Sequence, residues 1–373
     1  MRFVTVIGNR PQFVKAAAVS RVLREQHEEL LVNTGQHYDD ELSTIFVTEL
    51  GIPRPEHQLS LGSGSNTAQT ARMLTAIEPI LADARPDAVL VYGDTNSTLA
   101  GALAAAQAGV PIAHVEAGMR SFDRRMPEEL NRVLTDHMSQ LLLCSSQTAI
   151  DNLAREHAVG DRVLVGDVMV DVAQLFQPRA AADDVPLRDA GVEPGQYVLV
   201  TAHRAGNVDD PGRLRALVDL LLALPLPAVL PLHPRTGARL DAAGLLDTLQ
   251  SADHIRLTPP LGYLAFTALL TRARAMLTDS GGVQKEAYLA GVPCITLRDT
   301  TEWVETVDSG WNVLVDLDRD AAIAALDRTM PAARPELYGD GHAAERVVAA
   351  LGALATGVPG AGGGPGAAGP VGP

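Results

Sequence analysis

The sequence predicts an α/β protein with two parallel β-sheets, each flanked by helices. Short apolar runs alternate with amphipathic helical stretches through almost the whole chain. The alternation stops once, at a polar, proline-containing stretch over residues 177–196, and then starts again. A chain of 373 residues is also long enough to form two domains. We therefore expect two Rossmann-like domains, over residues 1–176 and 177–355.

The strands of the first domain are predicted from apolar runs. They cover residues 3–7, 30–33, 88–92, 112–115 and 141–144. Helical periodicity between these runs predicts helices over residues 12–24, 67–82, 97–107 and 129–138. Because strand–helix–strand units in one sheet are right-handed and parallel, this order predicts a single parallel sheet.

The second domain repeats the pattern. Its predicted strands cover residues 197–201, 228–231, 255–257, 275–278, 294–297 and 313–315, and a helix over 342–355 is expected to complete the fold. From residue 357 onward the chain contains only Gly, Ala, Val and Pro. Such a composition cannot bury a core, so we expect a disordered tail over residues 356–373.

Composition excludes several classes of function. No run of 18 apolar residues indicates a membrane span, and the first ten residues read as a strand and not as a signal peptide. The net charge of −15, with no basic cluster, argues against nucleic-acid binding. Cys144 and Cys294 lie in apolar runs, as buried thiols in a reducing compartment do. We therefore expect a cytoplasmic protein without membrane or nucleic-acid partners.

Ligands of open parallel sheets bind beyond the carboxyl ends of the strands, so the residues that follow each strand are the candidates. After the first strand comes GNRPQFVK, in which Gly8 permits a tight turn and Pro11 suits the first position of a helix. Arg10 and Lys15 add positive charge near that helix N-terminus, where an anion could bind. The alternative is an ordinary turn with solvated basic residues.

Acidic residues follow the next two strands. Asp94 ends one strand in VYGDTNST, and Glu116 ends the other in HVEAGMRS. Carboxylates that converge raise one another's pKa, which allows one to act as an acid and another as a base. Glu128 and Glu129 open a helix in RMPEELNR, and favourable charge at the helix N-terminus explains at least one of them.

In the second domain, three post-strand stretches carry candidates. His203 and Arg204 follow one strand in VTAHRAGN, and Arg298 follows another. TDSGGVQKEA is the most informative stretch, because small residues that open a helix let backbone N–H groups approach a diphosphate. Its members are Ser280, Gly281, Gly282 and, one turn later, Glu286, whose carboxylate could accept hydrogen bonds from ribose hydroxyls.

Motifs for other cofactors are absent from the sequence. It contains no GxxxxGKS, GxGxxG, CxxC or HExxH pattern. Asp316 and Asp318 form a DLD that superficially resembles a metal-binding DxD, but we expect a solvated turn there. The residues alone thus predict a diphosphate–ribose site in the second domain facing a carboxylate cluster in the first, with neither metal nor organic cofactor.

These motifs, taken in order, resemble those of the non-hydrolysing UDP-N-acetylglucosamine 2-epimerase family. The matching segments are GNRPQFVK, TGQH, YGDTNST, HVEAGMRS, PEELNR, AHR, LTDSGGVQKEA and GVPCITLRDTTEWVE, and the likeness extends to about Leu354. The resemblance implies the two-domain glycosyltransferase-B architecture, an active site in the interdomain cleft and a homodimer. It further implies anti elimination of UDP to a bound 2-acetamidoglucal, followed by syn re-addition with inversion at C2.

The resemblance also assigns residues. The acidic catalytic positions fall on Asp94, Glu116 and Glu128, and we count His203 with them. UDP- and phosphate-binding positions fall on Arg10, Lys15, His203, Phe266, Ser280, Gly281, Gly282 and Glu286, and we add Arg204 and Arg298 from the strand-end rule. The expected ligand is a UDP-sugar.

Three departures from the family pattern leave the sugar open. Trp303 stands where the family has a phosphate-binding Arg, Tyr38-Asp39-Asp40 follows TGQH, and the stretch before PEE is two residues shorter. These features resemble the branch that epimerises UDP-2,3-diacetamido-2,3-dideoxyglucuronic acid. A glycosyltransferase, a hydrolysing epimerase and a catalytically inactive nucleotide-sugar-binding regulator are the remaining alternatives.

Overall fold

The computed structural model describes residues 1–35, 49–62 and 64–356, and its contacts divide the chain into two units. Residues 36–48, which include Tyr38, Asp39 and Asp40, and the predicted tail from residue 357 lie outside the described residues. Of the described residues, the first unit holds 1–35, 52–62, 64–168 and 338–356, and the second holds 49–51 and 169–337.

The first unit is built on a parallel sheet of seven strands within the described part of the chain. The strands are β1 (Arg2–Ile7), β2 (Glu28–Asn33), β3 (His57–Gln58), β4 (Ala88–Tyr92), β5 (Ile112–Ala117), β6 (Leu141–Cys144) and β7 (Asp161–Leu164). Their order is β3-β2-β1-β4-β5-β6-β7. The connecting helices are α1 (Arg10–Gln26), α2 (Asn66–Ala84), α3 (Asn96–Gln107), α4 (Pro127–Met138) and α5 (Gln147–Arg155).

The second unit contains a parallel sheet of six described strands in the order β10-β9-β8-β11-β12-β13. The strands are β8 (Val198–Thr201), β9 (Ala228–Pro231), β10 (Ile255–Thr258), β11 (Ala275–Thr278), β12 (Cys294–Thr296) and β13 (Asn312–Leu314). Its helices are α6 (Val168–Ala181), α7 (Val185–Ala190), α8 (Ala205–Val208), α9 (Pro211–Leu222), α10 (Pro234–Ala242), α11 (Leu246–Gln250), α12 (Tyr263–Leu270), α13 (Gly281–Ala290), α14 (Val304–Asp308) and α15 (Arg319–Leu326). The predicted α/β class with two parallel sheets is confirmed.

Central strands are apolar along their whole length because helices cover both faces of each sheet. All five residues of β4 are buried, and Met73 and Ile77 of α2 pack in the same core. In the second unit, alternate residues of β8 enter different cores. Leu199 packs with Leu270 of α12, whereas Val200 packs with Leu217 of α9.

Both sheets contain a point where the direction of strand progression reverses. In the first sheet β1 lies between β2 and β4, and in the second β8 lies between β9 and β11. Helices that leave such neighbouring strands go to opposite faces, so the loops after them separate and open a crevice. The stretches after β1, β4, β8 and β11 are those that hold most of the predicted site residues.

The units differ from the predicted domains at their boundaries. We expected the boundary between the domains to lie between residues 176 and 177. The contacts instead divide the two units between Val168 and Met169. The last helix, α16 (Ala343–Thr356), was expected in the second domain, yet it belongs to the first unit and contacts α1 and β6. Val347 and Leu351 are fully buried there, so apolar periodicity identified the helix but not its partner.

The two cysteines are free and buried, as the sequence predicted. Burial raises the pKa of the Cys294 thiol to about 12 and raises that of Cys144 further still. Both thiols are thus protonated near neutral pH. Among the described residues, no helix is both long and apolar enough to cross a membrane.

Candidate active site

Gln12 ties the turn after β1 to the turn after β4. Its buried amide donates to the Tyr92 carbonyl and to Thr98 Oγ1, both at 2.9 Å, and its Oε1 accepts from the Gly8 N–H at 2.8 Å. A Cβ at Gly8 would lie 2.1 Å from Ser97 Oγ, so only glycine fits. The loops after β1 and β4 are therefore joined by one buried side chain.

Lys15 and Glu116 form a buried ion pair between α1 and β5. Their side chains are only 11% and 9% exposed. Glu116 has a φ of +71°, a left-handed conformation that residues with a Cβ adopt at some cost, and such strain often occurs at functional positions. Gly93 lies alongside, where a Cβ would stand 3.3 Å from Glu116 Oε2 and 3.5 Å from Lys15 Nζ.

Asp94 is paired with Arg132 of α4. The Asp94 side chain is 30% exposed, whereas the arginine is 5% exposed and also contacts Glu129 at 3.0 Å. Asn131 Nδ2 donates to the Asp94 carbonyl at 3.0 Å, so α4 holds both the backbone and the side chain of Asp94. Asp94 and Glu116, which lie at the ends of neighbouring strands, are thus each paired with a buried cation.

The two glutamates that open α4 have different roles. The Glu129 carboxylate is buried and accepts from the Ser121 N–H and hydroxyl and from the Phe122 N–H, at 2.9–3.0 Å. Glu128 is half-buried, and its carboxylate makes no hydrogen bond or ion pair within the described residues. Glu129 therefore fixes the loop, and the carboxylate of Glu128 remains available for a ligand.

In the second unit, Asp279 organises the turn after β8. Its carboxylate is fully buried and accepts from the backbone N–H groups of His203 and Arg204 at 3.0–3.2 Å, and from Asn207 Nδ2 at 3.2 Å. The His203 ring stacks on His233 with centroids 5.2 Å apart, and its Nδ1 lies 3.8 Å from Asp279. The imidazole is therefore held at the end of its strand with 38% of its side chain exposed.

The N-terminus of α13 presents backbone donors without a side-chain cap. Ser280 is its N-cap and makes no capping hydrogen bond. A Cβ added at Gly282 would meet nothing within 4 Å, whereas one at Gly281 would lie 2.1 Å from Glu302 Oε1. Glu302 is paired with Arg298 at 2.9 Å. An anion seated on these N–H groups would also lie close to this ion pair.

The remaining predicted residues differ in how deeply their side chains are buried. Arg10 is half-buried at the first position of α1, and Glu286 is half-buried one turn into α13, where it lines a small cavity with Tyr263. Phe266 is 4% exposed and packs in the hydrophobic core with Leu269. The Phe266 side chain thus belongs to the core of the second unit, and its assignment to UDP stays a prediction.

Trp303 replaces the expected arginine with a buried aromatic ring. It is 5% exposed, and the Nζ of Lys285, which is 1% exposed, lies 4.2 Å from its centroid. This cation–π contact is one of the interactions that hold the Lys285 side chain in the interior. Lys285 is therefore a packing partner of Trp303.

The structure brings Lys15, Asp94, Glu116 and Glu128 to the loop edge of the first sheet. It brings His203, Arg204, Ser280, Gly281, Gly282 and Arg298 to that of the second. Sequence reasoning missed Gln12, Arg132, Asp279 and Glu302, although all four stand inside or beside the motifs that it quoted. Residue type alone did not identify them, because a single sequence does not distinguish a buried polar residue that joins two loops from a solvated one.

Comparison with known proteins identifies close relatives. A family model described as UDP-N-acetylglucosamine 2-epimerase matches residues 21–352. A UDP-N-acetylglucosamine 2-epimerase homolog of Methanococcus maripaludis is 44% identical over 354 residues, covering 94% of this chain and 99% of the relative. A UDP-2,3-diacetamido-2,3-dideoxy-D-glucuronate 2-epimerase of Pseudomonas aeruginosa is 47% identical over 366 residues, covering 95% and 100%.

Solved structures agree with these relatives. The crystal structure of Methanocaldococcus jannaschii UDP-GlcNAc 2-epimerase in complex with UDP-GlcNAc and UDP matches with a TM-score of 0.89 and 39% identity. The match covers 94% of this chain and 99% of that one. Phytolacca americana UGT2 matches at 14% identity with a TM-score of 0.55, which shows a shared glycosyltransferase-B-like fold.

Proposed function

The chain belongs to the UDP-N-acetylglucosamine 2-epimerase family and is a UDP-sugar 2-epimerase of the non-hydrolysing type, and on that premise we propose that it interconverts UDP-N-acetylglucosamine and UDP-N-acetylmannosamine. The observation that carries the proposal is the matched set of acids and cations after β4 and β5, Asp94 with Arg132 and Glu116 with Lys15. Inversion at a carbon next to the anomeric centre needs proton transfer on both faces of the sugar ring, and carboxyl groups supply it.

The reaction is written in two steps. In the first, a carboxylate removes the proton from C2, the C1–O bond to UDP breaks with its electron pair leaving on the diphosphate, and a C1–C2 double bond forms. In the second, the diphosphate oxygen adds back to C1 and a carboxylic acid protonates C2 on the opposite face. Atoms and charge balance without an oxidant, a reductant or a second substrate.

We assign removal of the C2 proton to Glu116, because the adjacent Lys15 ammonium stabilises the ionised carboxylate. The group on the opposite face is Asp94 or Glu128. Asp94 is tied to Arg132, and Glu128 has a half-buried carboxylate without a hydrogen bond in the described part of the chain. Variants of these two residues distinguish them.

We assign the UDP leaving group to residues of the second unit. The uncapped N-terminus of α13, with Ser280, Gly281 and Gly282, supplies N–H donors and a favourable dipole. His203 and Arg204 add side-chain donors in the same unit, and Arg10 and Lys15 stay predicted phosphate-binding residues. Donors aimed at a departing diphosphate stabilise the charge that develops as the C1–O bond breaks.

The test is to offer the purified protein a panel of UDP-sugars and to follow inversion at C2 by NMR. In D₂O the product should carry deuterium at C2. Asp94→Asn and Glu116→Gln should each lower turnover by about 10²-fold or more while UDP still binds, since each removes one acid–base group. Asp83→Asn, on the exposed surface of α2, is the matched control and should behave as the wild type.

Wild-type turnover in both variants would refute the assigned roles. Release of UDP only when an acceptor is added would favour a glycosyltransferase, and accumulation of free N-acetylmannosamine with UDP would favour a hydrolysing epimerase. Binding without any turnover would favour a regulator.

The alternative substrate is UDP-2,3-diacetamido-2,3-dideoxyglucuronic acid. Trp303 is the observation that favours it, because this buried ring removes a cation that the main family pattern places there. The Pseudomonas relative with this named activity is 47% identical to the chain. A kcat/KM for the uronate at least tenfold above that for UDP-N-acetylglucosamine would replace the first choice of sugar without changing the reaction.

The resemblance also implies a homodimer, and the composition predicts a cytoplasmic protein; both remain proposals. Light scattering coupled to gel filtration measures the mass of the particle in solution. A mass of one chain, 39.3 kDa, would contradict the dimer.

A further inference from the structure

His114 is a buried ring that the proposed mechanism does not use. It lies on β5, two residues before Glu116, and is fully buried. Its Nδ1 is 2.7 Å from Asp136 Oδ1, and its Nε2 is 2.7 Å from the Gly93 carbonyl oxygen. The Gly93 carbonyl can only accept, so Nε2 carries a proton.

Asp136 also acts as an acceptor. Its Oδ2 accepts from Arg120 Nη1 at 2.7 Å and from the Gly118 N–H at 3.1 Å. Burial by itself raises the pKa of the Asp136 carboxyl, but the charges and hydrogen bonds of His114 and Arg120 outweigh it and the pKa is lowered. An ionised Asp136 has no proton to give, so Nδ1 of His114 must donate as well.

Both ring nitrogens thus face acceptors, and a ring that donates from both carries a positive charge. The cation belongs to a charge-balanced chain, because Arg120 also binds Glu156 through two hydrogen bonds of 2.7 and 2.8 Å. Its members are His114, Asp136, Arg120 and Glu156, and each buried charge in it has an opposite neighbour. Such a network is costly to break, since removing one partner leaves a buried charge unpaired.

We propose that His114 is a positioning residue, an imidazolium held by Asp136 that fixes the Gly93 carbonyl and so sets the turn carrying Asp94. Gly93 has a φ of +62° and lies against both Lys15 and Glu116, so a rotation of its peptide would disturb the ion pair as well. The kinetic part of this inference rests on the proposed epimerase function. The protonation state of the ring does not.

The first test is a ¹⁵N–¹H spectrum of the ring nitrogens in protein labelled at histidine. The wild type should show two N–H signals from one ring at pH 7.5, with slow solvent exchange because the ring is fully buried. Both signals should vanish in His114→Gln. A His114 ring with one unprotonated nitrogen would overturn the proposal, whether or not the protein turns over any UDP-sugar.

The second test uses two amides that each keep half of the contacts. Gln places a donor near the position of Nε2 and can still reach the Gly93 carbonyl, whereas Asn places one near Nδ1 and can reach only Asp136. Loss of positioning by about 1 Å can cost roughly 10²-fold in rate. We therefore expect His114→Asn to lower kcat by about 100-fold with little change in KM, and His114→Gln to retain most of kcat.

Equal kcat for the two variants would overturn the role of the Gly93 carbonyl. If His114→Asn does not fold, His114→Gln and the ring spectrum still test the proposal. A His114→Gln protein with kcat as low as that of Glu116→Gln would contradict it. Absence of wild-type turnover would refute the proposed function and leave the spectrum as the test of the ring.

Discussion

At the scale of single residues, Glu116 joins a strained backbone to a buried charge. Its φ is +71°, and its carboxylate is paired with Lys15. A strained residue persists only where its surroundings hold it, and here Gly93 leaves the space that the pair occupies. The strained backbone of Glu116 is therefore held in place by the buried ion pair and by the space that Gly93 leaves.

Gly93→Ala tests that arrangement. A non-glycine residue at φ +62° costs about 1–2 kcal/mol, and its methyl would press on Glu116 and Lys15. Gly109→Ala is the matched control, because Gly109 has φ +69° and a Cβ there would meet nothing within 4 Å. We expect similar losses of stability in denaturant melts, but a loss of kcat in Gly93→Ala alone.

If the two alanine variants keep equal activity, the space beside Gly93 has no catalytic importance.

Asp279 is a second residue whose role follows from its contacts. Asp279→Asn replaces one acceptor oxygen with an NH₂ group that faces the N–H groups of His203 and Arg204. Hydrogen bonds to charged groups contribute about 1.5–3 kcal/mol, so we expect UDP to bind roughly 10- to 100-fold more weakly. Calorimetric titration with UDP measures the change, and Asp241→Asn at an exposed position of α10 is the control.

Unchanged UDP affinity in Asp279→Asn would mean that the turn after β8 holds its shape without the carboxylate or does not contact UDP.

At the scale of elements, α13 shows why two adjacent glycines are not equivalent. Gly281 and Gly282 both open the helix, but only Gly281 faces another side chain, that of Glu302. At Gly281 the absence of a side chain leaves room for Glu302, whereas open space surrounds Gly282. Sequence alone assigned both residues to the diphosphate.

Alanine at each position separates packing from binding. Gly281→Ala should displace Glu302 and reduce stability, because its Cβ would stand 2.1 Å from Oε1. Gly282→Ala should leave stability unchanged or raise it by up to about 1 kcal/mol, since Ala favours helix. If the diphosphate sits on this turn, Gly282→Ala should still weaken UDP binding by about tenfold, a loss of about 1.4 kcal/mol.

Thermal melts with and without UDP measure both effects in each variant. A Gly282→Ala protein that binds UDP as tightly as the wild type would place the diphosphate elsewhere.

At the scale of the whole molecule, the chain enters the second unit after Val168 and returns to the first at Tyr338. The Asp167 N–H donates to the Tyr338 carbonyl at 2.8 Å, so the outgoing and returning segments meet within the first unit. Helix α16 then covers part of α1 and β6. The first unit is therefore incomplete without the last helix.

Leu351→Ala should destabilise the first unit by about 2–5 kcal/mol, because the side chain is fully buried and its loss leaves a cavity. Hydrogen exchange should accelerate in α1 and β6 and much less in β8 and β11. Glu345→Ala, on the exposed face of the same helix, should change stability by less than about 0.5 kcal/mol. Faster exchange mainly in the second unit would contradict this assignment of α16.

The sequence by itself determined the two parallel sheets, the strand ends where polar residues gather and the family. Apolar periodicity and short motifs are local properties of a chain, so they can be read without coordinates. Edge strands such as β3 and β7 escaped prediction, because their partly exposed residues lack a continuous apolar run.

The tertiary structure decided which charges meet. Lys15 and Glu116 are 101 residues apart in sequence, and Asp94 and Arg132 are 38 apart. It also separated Glu129, which clamps a loop, from its neighbour Glu128, and it placed α16 on the first unit. Each of these depends on contacts between distant segments, and such contacts arise only when burial of apolar surface packs the elements together.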